Sequence, residues 1–285
     1  MNATTPDVWP AAPAGDTFRF AFGRNWASFL TVLNEHRIAA AERSLQEMLQ
    51  RDDLVGLRFL DIGSGSGLFS LAARRLGARV QSVDLDPDAV GCTRELRRRY
   101  FPGDPDWEIS LGSALDAELM ASLGHFDVVY SWGVLHHTGD MWRAIDLTAS
   151  RVAPGGRLFI AIYNDAGRQT RRWTRIKRTY CQLPQPLRTP FALVVGAPNM
   201  LRAFARDVRQ GQGREHIASW FGSRQQNRGM NRWHDLVDWV GGYPYQAARV
   251  DEVFGFLSSR GLMLTALKAD GGLGCNEFVF QRAAV

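Results

Sequence analysis

The chain has 285 residues, of which 45% are hydrophobic and 22% charged, and its formal net charge is +5. These values suit one large globular domain, or one domain with a cap. No apolar run reaches the roughly 20 residues that cross a bilayer, so no transmembrane segment is predicted. The three cysteines are odd in number and far apart, which excludes a disulfide framework and favours a cytoplasmic location.

Residues 1–36 are predicted to form an N-terminal lead-in and cap. The stretch Met1–Asp16 contains three prolines and no basic residue. It therefore lacks the charged-then-apolar pattern of a secretory signal and is typical of a flexible leader.

Strands and helices alternate through residues 37–163, the predicted α/β core. The predicted strands are Arg58–Ile62, Arg79–Val83, Trp107–Leu111, Phe126–Ser131 and Arg157–Tyr163. The predicted helices are Ile38–Gln50, Leu68–Leu76, Asp88–Tyr100 and Met141–Val152. Such alternation implies right-handed crossovers and a parallel sheet.

The alternation stops at residues 164–250, which hold 15 basic and 5 acidic residues and many aromatic ones. We expect this segment to be a helical lid inserted after strand five, where open α/β sheets bind ligands. Residues 251–285 add a helix, Asp251–Arg260, and two strands, Leu262–Leu267 and Glu277–Gln281. The predicted fold is a doubly wound, mostly parallel, seven-stranded sheet of the Rossmann-like type.

A glycine-rich turn follows the first strand, with Gly63, Gly65 and Gly67 at every second position after Asp61. Glycine lets a backbone turn sharply and approach a ligand closely. Asp84 ends the second strand, where a carboxylate can accept both hydroxyls of a ribose. The turn lacks both the Gly-Lys-Ser/Thr of triphosphate binders and the GxGxxG spacing of dinucleotide binders.

Four segments in this order resemble the motifs of class I S-adenosylmethionine-dependent methyltransferases: Asp61–Gly67, Val83–Asp86, Phe126–His137 and Pro154–Phe159. The resemblance covers roughly residues 38–163. In its motifs it is nearest to the ubiquinone-biosynthesis O-methyltransferase type, which carries His-Arg-Ile and a second Arg ahead of the glycine turn. The counterparts in this chain are His36, Arg37, Ile38 and Arg43.

The resemblance implies S-adenosyl-L-methionine as methyl donor, with S-adenosyl-L-homocysteine as product. Asp61 and the turn would hold the methionyl part, and Arg43, or alternatively Arg37, would pair with its carboxylate. Asp84 would bind the ribose and Leu85 the adenine. The implied cofactor site contains Arg43, Arg37, Asp61, Gly63, Ser64, Gly65, Gly67, Asp84, Leu85, Ser113, Ala114, Ser131 and Trp132. Ser113 departs from the family, which often has Asp at that position.

Methyl transfer from a sulfonium mainly requires nucleophile, methyl and sulfur to be held in line. A hydroxyl nucleophile also benefits from a general base, for which histidine is the natural candidate. His136 and His137 follow the fourth strand at the predicted cofactor edge, and His137 is the preferred base. His234 is a third candidate, because His234 and Asp238 would share one face of a helix. The alternative is a surface helix whose apolar residues pack on the core.

The acceptor is predicted to be a small anionic or aromatic molecule, such as a phenolic acid, a quinone precursor or a nucleotide-linked sugar. The predicted substrate residues are Tyr163, Arg172, Arg175, Trp233, Tyr243 and Tyr245. No third ligand with suitable spacing accompanies His234 and Asp238, so no metal is predicted.

Two alternatives follow from the basic segment. RNA methylation would use its arginines and aromatic residues to follow a phosphate backbone. Peripheral membrane association would place Phe191–Leu201 on anionic lipid, although Pro190 and Pro198 disfavour a long amphipathic helix there. The sequence does not predict an oligomeric state.

Overall fold

A computed structural model of the protein describes residue 30, residues 33–212 and residues 232–284. The strands are β1 Arg58–Ile62, β2 Arg79–Asp84, β3 Trp107–Leu111, β4 Phe126–Trp132, β5 Val152–Tyr163, β6 Leu262–Lys268 and β7 Cys275–Arg282. They form one sheet in the order β3-β2-β1-β4-β5-β7-β6. β1 to β5 are parallel, whereas β7 is antiparallel to both β5 and β6. The predicted fold class is confirmed.

The helices are α1 Glu35–Leu49, α2 Leu68–Arg75, α3 Pro87–Tyr100, α4 Ala117–Ser122, α5 Met141–Ala149, α6 Arg168–Gln182, α7 Gln185–Arg209, α8 Arg232–Gly241 and α9 Val250–Ser258. A short 3₁₀ helix, Leu135–His137, lies between β4 and α5. α4 was not predicted; its N-cap is Asp116, whose carboxylate accepts from two backbone N–H groups of the first turn.

The first described helix begins earlier than predicted. The side chain of Asn34 accepts a hydrogen bond from the backbone N–H of Arg37 and caps α1, which begins at Glu35, three residues ahead of Ile38. The predicted boundary between residues 36 and 37 therefore falls inside a helix. Most of the predicted lead-in, residues 1–29, lies outside the described residues.

The central strands are buried on both faces, as expected of a parallel sheet covered by helices. On β1, Leu60 and Ile62 belong to one apolar cluster and Phe59 to the other. β5 repeats this alternation, with Leu158 on the first face and Phe159 on the second. These two clusters fix the register of the sheet and hence the positions of the loops at its carboxyl edge.

The sheet changes winding direction between β1 and β4, which are neighbours although β2 and β3 lie between them in sequence. At such a switch point the loops that leave adjacent strands diverge, and the crevice between them is where open α/β sheets bind ligands. The glycine turn after β1 and the segment after β4 both lie at this crevice.

Three helices, α6, α7 and α8, make up most of the described part of the segment after β5. Residues of α6, α7 and α8, with Tyr243 after them, form an apolar cluster of their own, made by Tyr180, Cys181, Ala192, Val240 and Tyr243. Its function as a lid, and the division of the chain at residues 164 and 250, remain predictions.

The expectation that prolines would prevent a long helix in this segment is wrong. α7 runs for 25 residues and contains both Pro190 and Pro198. A proline removes one backbone hydrogen bond to the carbonyl four residues earlier. For Pro198 that carbonyl belongs to Val194, which is exposed, so water can satisfy it. Among the described residues, no helix is both long and apolar enough to cross a membrane.

Candidate active site

The turn after β1 uses glycine at three positive φ angles: +76° at Gly63, +55° at Gly65 and +81° at Gly67. L-residues with a side chain rarely adopt this region. The backbone N–H of Gly63 donates to the carbonyl of Val83 at 2.7 Å, which ties the turn to β2. The turn is therefore anchored to the neighbouring strand.

Two of these glycines are also required by close packing. A Cβ on Gly63 would lie 2.4 Å from the methyl carbons of Val134, and a Cβ on Gly67 would lie 2.8 Å from the Cα of Thr93. Both distances are far below van der Waals contact. The segment after β4 and helix α3 can approach the turn only because it lacks side chains there.

Asp84 at the end of β2 faces the same turn. Its carboxylate accepts hydrogen bonds from the backbone N–H of Gly65 at 2.8 Å and of Asp86 at 2.9 Å. Burial raises the pKa of Asp84, while these hydrogen bonds act in the opposite direction. The next side chain, Leu85, is 51% exposed and offers an apolar surface beside the carboxylate.

Asp61 is buried beneath the turn at the end of a chain of hydrogen bonds. The indole N–H of Trp107 donates to Ser82 Oγ at 2.9 Å, and Ser82 and Ser70 share a bond of 2.7 Å. Ser70 Oγ then donates to Asp61 at 2.5 Å. Because Ser70 donates its only hydroxyl proton to Asp61, Ser82 must donate to Ser70, and every hydrogen in the chain points towards the carboxylate. Burial raises the pKa of Asp61 to about 7, and the charge of Asp84 adds to this increase.

His137 follows β4 in a fixed orientation. Its Nδ1 lies 2.6 Å from the carbonyl oxygen of Pro244. A carbonyl can only accept, so Nδ1 carries the proton and the lone pair of the neutral ring is on Nε2. Burial lowers the pKa of His137 to about 4, and the charge of Lys177 acts in the same direction. The ring is therefore neutral at pH 7.

His136 has the opposite tautomer. Its Nδ1 accepts from the backbone N–H of Tyr163 at 3.3 Å, so the neutral ring carries its proton on Nε2. The residue is fully buried, and burial lowers its pKa well below the usual value. The two neighbouring histidines thus differ in role: His137 presents a lone pair and His136 presents a donor.

Aromatic side chains surround the two histidines. The ring of Tyr163 lies 4.1 Å from that of His136, 5.6 Å from that of His137 and 5.0 Å from that of Tyr245, centroid to centroid. Trp239 lies 6.0 Å from Tyr163 and 5.2 Å from Trp173. We refer to these six residues, His136, His137, Tyr163, Trp173, Trp239 and Tyr245, as the aromatic cluster.

The sequence matches a known protein family across the region that contains this site. The sequence profile of a family described as a methyltransferase domain matches residues 33–191. The chain belongs to this methyltransferase family. The match confirms the predicted family and enzyme class, and it spans both the glycine turn and the histidines.

Sequence relatives of the methyltransferase carry a more specific name. The ubiquinone biosynthesis O-methyltransferase of Xanthomonas euvesicatoria pv. vesicatoria is 36% identical over 120 residues, which is 42% of this chain and 48% of that protein. The protein of the same name from Xanthomonas oryzae pv. oryzae is 37% identical over 114 residues. The chain thus matches about half the length of these curated relatives.

A solved structure shares the fold. Magnesium protoporphyrin IX methyltransferase from Synechocystis PCC 6803, crystallised with SAH, aligns over 86% of this chain and 83% of its own with a TM-score of 0.50. The sequence identity is 13%, so the similarity supports the fold alone.

Several predicted cofactor residues of the methyltransferase have side chains that bond within the protein. Ser64 Oγ shares a hydrogen bond with Thr93, and Ser131 Oγ donates to the carbonyl of Ile62 at 2.9 Å. Ser113 Oγ accepts from the backbone N–H two residues later. Ala114 is buried and Trp132 half-buried.

The two arginines predicted for the cofactor carboxylate differ in burial. Arg43 is exposed, on the side of α1 opposite the buried residues Ile38 and Leu45. Arg37 is half-buried, and burial lowers its pKa. The order predicted from the sequence, Arg43 first and Arg37 second, remains a prediction.

The predicted substrate residues separate into groups. Tyr163 and Tyr245 lie in the aromatic cluster, whereas Tyr243 packs in the apolar cluster between the helices after β5. Arg172 and Arg175 are exposed, on the face of α6 opposite the cluster, and do not join it. The side chains of Trp233 and His234 lie outside the described residues.

Three residues of this region, Lys177, Trp173 and Trp239, were not predicted from the sequence. Lys177 is one of only two lysines in the chain and lies among arginines. It shares one helical face with Trp173, at i and i+4. The sequence signal for a buried Lys177 was that the helix has one lysine among its arginines and that this lysine shares a face with an aromatic residue. Within the described residues, no group of three His, Cys, Asp or Glu side chains is arranged to hold a metal ion.

Proposed function

We propose that this methyltransferase transfers the methyl group of S-adenosylmethionine to a hydroxyl of a small aromatic acceptor. The observation that carries the proposal is the position of β4. It pairs with β1, whose turn faces Asp84, and its own carboxyl end leads into His136 and His137. A donor at the turn and an acceptor at the aromatic cluster would thus meet at one sheet edge.

The residues at the turn fit the donor. Asp84 has lone pairs for ribose hydroxyls beyond the two backbone bonds it accepts, and Leu85 offers an apolar surface for adenine. Asp61 and Arg37 carry charges opposite to the amino and carboxylate groups of a methionyl moiety. When bound, S-adenosylmethionine supplies a methyl group on a sulfonium.

His137 is the proposed general base. Its Nε2 lone pair takes the proton of the acceptor hydroxyl as the oxygen attacks the methyl group, and the proton then resides on Nε2. The hydrogen bond from Nδ1 to Pro244 holds the ring during this transfer. A pKa of about 4, lowered by burial, keeps the ring deprotonated at neutral pH. The names of the sequence relatives support a hydroxyl as the accepting group.

Methyl transfer to a panel of phenols, catechols and hydroxylated aromatic acids tests the proposal, with S-adenosylhomocysteine formation as the readout. We expect turnover with at least one member of the panel and none with heat-denatured protein. No uptake of S-adenosylmethionine by the folded protein would contradict the proposal.

RNA methylation remains the alternative, supported by the exposed arginines of α6: Arg168, Arg171, Arg172, Arg175 and Arg178. Binding to a phosphate backbone weakens steeply with salt, by about 10³–10⁵ between 50 and 200 mM for six to ten phosphate contacts. Turnover of a small acceptor should change little over that range. A steep salt dependence of turnover on structured RNA would favour the alternative.

A further inference from the structure

Four buried polar side chains are joined in a row beneath the glycine turn. Trp107 lies on β3, Ser82 on β2, Ser70 on α2 and Asp61 on β1. The first three are fully buried, and Asp61 is 2% exposed. Hydrogen bonds of 2.9, 2.7 and 2.5 Å connect them in that order. We refer to these four residues as the relay.

The relay is satisfied in one direction only. An indole N–H cannot accept a hydrogen bond, and each serine hydroxyl has a single proton to donate. With Trp107 donating to Ser82, Ser82 to Ser70 and Ser70 to Asp61, every proton has an acceptor. The reverse order would leave the proton of Ser82 without an acceptor in the relay, which is costly in a buried site. The oxygen of Asp61 that contacts Ser70 is therefore held as an acceptor.

This contact also fixes the orientation of the carboxylate. The terminal torsion of an aspartate has a broad, weakly restrained distribution. In this protein Ser70 binds one carboxylate oxygen, Oδ2, at 2.5 Å. Because the carboxylate is planar, fixing the direction of Oδ2 fixes that of Oδ1 as well. Ser70 is in turn held by Ser82, so the orientation of Asp61 depends on residues of α2 and β2.

The relay also supports the charge of Asp61. A buried carboxylate is costly unless hydrogen bonds or an opposite charge stabilise it. Within the described part of the protein, Asp61 forms no ion pair, and the negative charge of Asp84 acts against its ionisation. The hydrogen bond from Ser70 acts in the opposite direction and lowers the pKa of Asp61. Ser70 thus favours the charged form that would attract an ammonium group.

We propose that Ser70 and Ser82, anchored by Trp107, are positioning residues that hold the carboxylate of Asp61 in place for the amino group of the methyl donor. The inference rests on the proposed function, in which Asp61 meets the methionyl part of S-adenosylmethionine. The two serines act through Asp61 alone. Their loss should therefore weaken only those ligands that carry the amino group, and should leave recognition of the adenosyl part intact.

The test compares two ligands that share the adenosyl thioether. S-adenosylhomocysteine carries the amino-acid part, whereas methylthioadenosine has a methyl group on the same sulfur in its place. Both affinities are measured by calorimetry on the full chain at pH 8, and their ratio is the readout. The wild type should bind S-adenosylhomocysteine about tenfold or more tightly, as one hydrogen bond to a charged group supports.

Ser70→Ala removes the donor to Asp61 and should lower this ratio by about tenfold, the loss of one hydrogen bond to a charged group. Ser82→Ala leaves Ser70 in place but removes the group that orients its hydroxyl. It should lower the ratio by about threefold, the loss of one neutral hydrogen bond. In both variants the affinity for methylthioadenosine should stay close to that of the wild type.

Ser110→Ala is the matched control. Ser110 lies on β3 and accepts a hydrogen bond from the side chain of Gln81 at 3.0 Å, so its hydroxyl takes no part in the relay. This substitution removes a serine hydroxyl from a strand of the same sheet and should leave both affinities unchanged. If Ser70→Ala does not fold, the ratio in Ser82→Ala decides.

Three results would overturn the positioning role. One is a wild type that binds the two ligands equally well. Another is a ratio that keeps its wild-type value in Ser70→Ala or, should that variant not fold, in Ser82→Ala. The third is an equal loss of affinity for both ligands, which would show that the serines support the whole site. Failure of the proposed function is distinguishable, because the wild type would then bind neither ligand.

Discussion

The backbone N–H of Gly65 donates a hydrogen bond to the carboxylate of Asp84 over 2.8 Å, and this bond joins the turn after β1 to the tip of β2. The two residues are 19 positions apart in sequence. Their contact fixes the carboxylate against the edge of the turn, so a ligand that bridges the two elements meets a prearranged site. This is the geometric basis for placing the methyl donor there.

Gly63→Ala should destabilise the protein for two separate reasons. The left-handed backbone costs a residue with a side chain about 1–2 kcal/mol. The new Cβ would also lie 2.4 Å from the methyl carbons of Val134, and such overpacking typically costs about 1–3 kcal/mol. Thermal unfolding of the ligand-free protein measures the sum.

Gly133→Ala is the control for that substitution. Gly133 has a φ of +75°, nearly that of Gly63, but no atom lies within 4 Å of its added Cβ. Gly133→Ala should therefore destabilise the protein only through the cost of the left-handed backbone. Equal losses of stability at the two positions would show that the close approach of Val134 contributes nothing.

Cofactor affinity should fall as the pH decreases below about 7. Burial raises the pKa of Asp61 to about 7, so below that value the carboxyl becomes neutral and loses its attraction for the ammonium of the donor. In the limit, affinity drops by about tenfold per pH unit. Titration of S-adenosylhomocysteine between pH 5.5 and 8.5 measures this, and an equally steep dependence in Asp61→Asn would contradict it.

The raised pKa of Asp61 also predicts how the stability of the ligand-free protein depends on pH. The folded-state pKa of Asp61 lies above its unfolded value, so its contribution is fully present in acid and is lost as the pH rises through about 7. Asp61→Asn should thus raise the melting temperature relative to wild type at pH 8 more than at pH 5. An equal rise at the two pH values would mean that Asp61 is ionised at no cost, and a larger rise at pH 5 would mean that folding lowers its pKa; either result contradicts the prediction.

His137→Asn should retain binding and lose turnover. The amide N–H of Asn can occupy the place of Nδ1 and still donate to Pro244, whereas the lone pair of Nε2 is gone. Loss of a general base costs about 10²–10⁴-fold in rate. Affinity for S-adenosylhomocysteine and the melting temperature serve as controls, and both should change little. Wild-type turnover in this variant would exclude His137 as the base.

Arg37→Met should weaken cofactor binding by about tenfold or more, the loss that one charged hydrogen bond represents. Arg43→Met should leave affinity within about twofold, because Arg43 projects to solvent on the opposite side of α1. Both are measured by calorimetry at one pH. If only Arg43→Met weakens binding, the original preference for Arg43 is restored.

The core of the fold was predictable from local patterns. Short apolar strands that end at glycines predict the sheet. The turn at Gly63–Gly67 and Asp84 predict the site of the methyl donor, because β1 and β2 are neighbours in space as well as in sequence. The cap at Asn34 was not predicted. The helical spacing of apolar residues begins at Ile38, and the cap precedes that residue.

The acceptor side was harder to predict because it depends on contacts distant in sequence. Lys177 meets Trp239 across 62 residues, and His137 meets Pro244 across 107. No periodicity links such positions. The arginines of α6 dominate the charge pattern of the helix, yet they are exposed and the one lysine is buried. Composition alone therefore indicated an anionic ligand but gave no information on which basic side chain of α6 is buried.

The glycine turn and Asp84 together form the proposed site of the methyl donor. Calorimetry of S-adenosylhomocysteine with ligand-stripped wild type, Asp84→Ala and the control Asp88→Ala measures this directly. We expect saturable binding by the wild type and by Asp88→Ala, and about tenfold or weaker binding by Asp84→Ala. Absence of binding by the wild type, or equal affinity in Asp84→Ala, would contradict this position of the methyl donor.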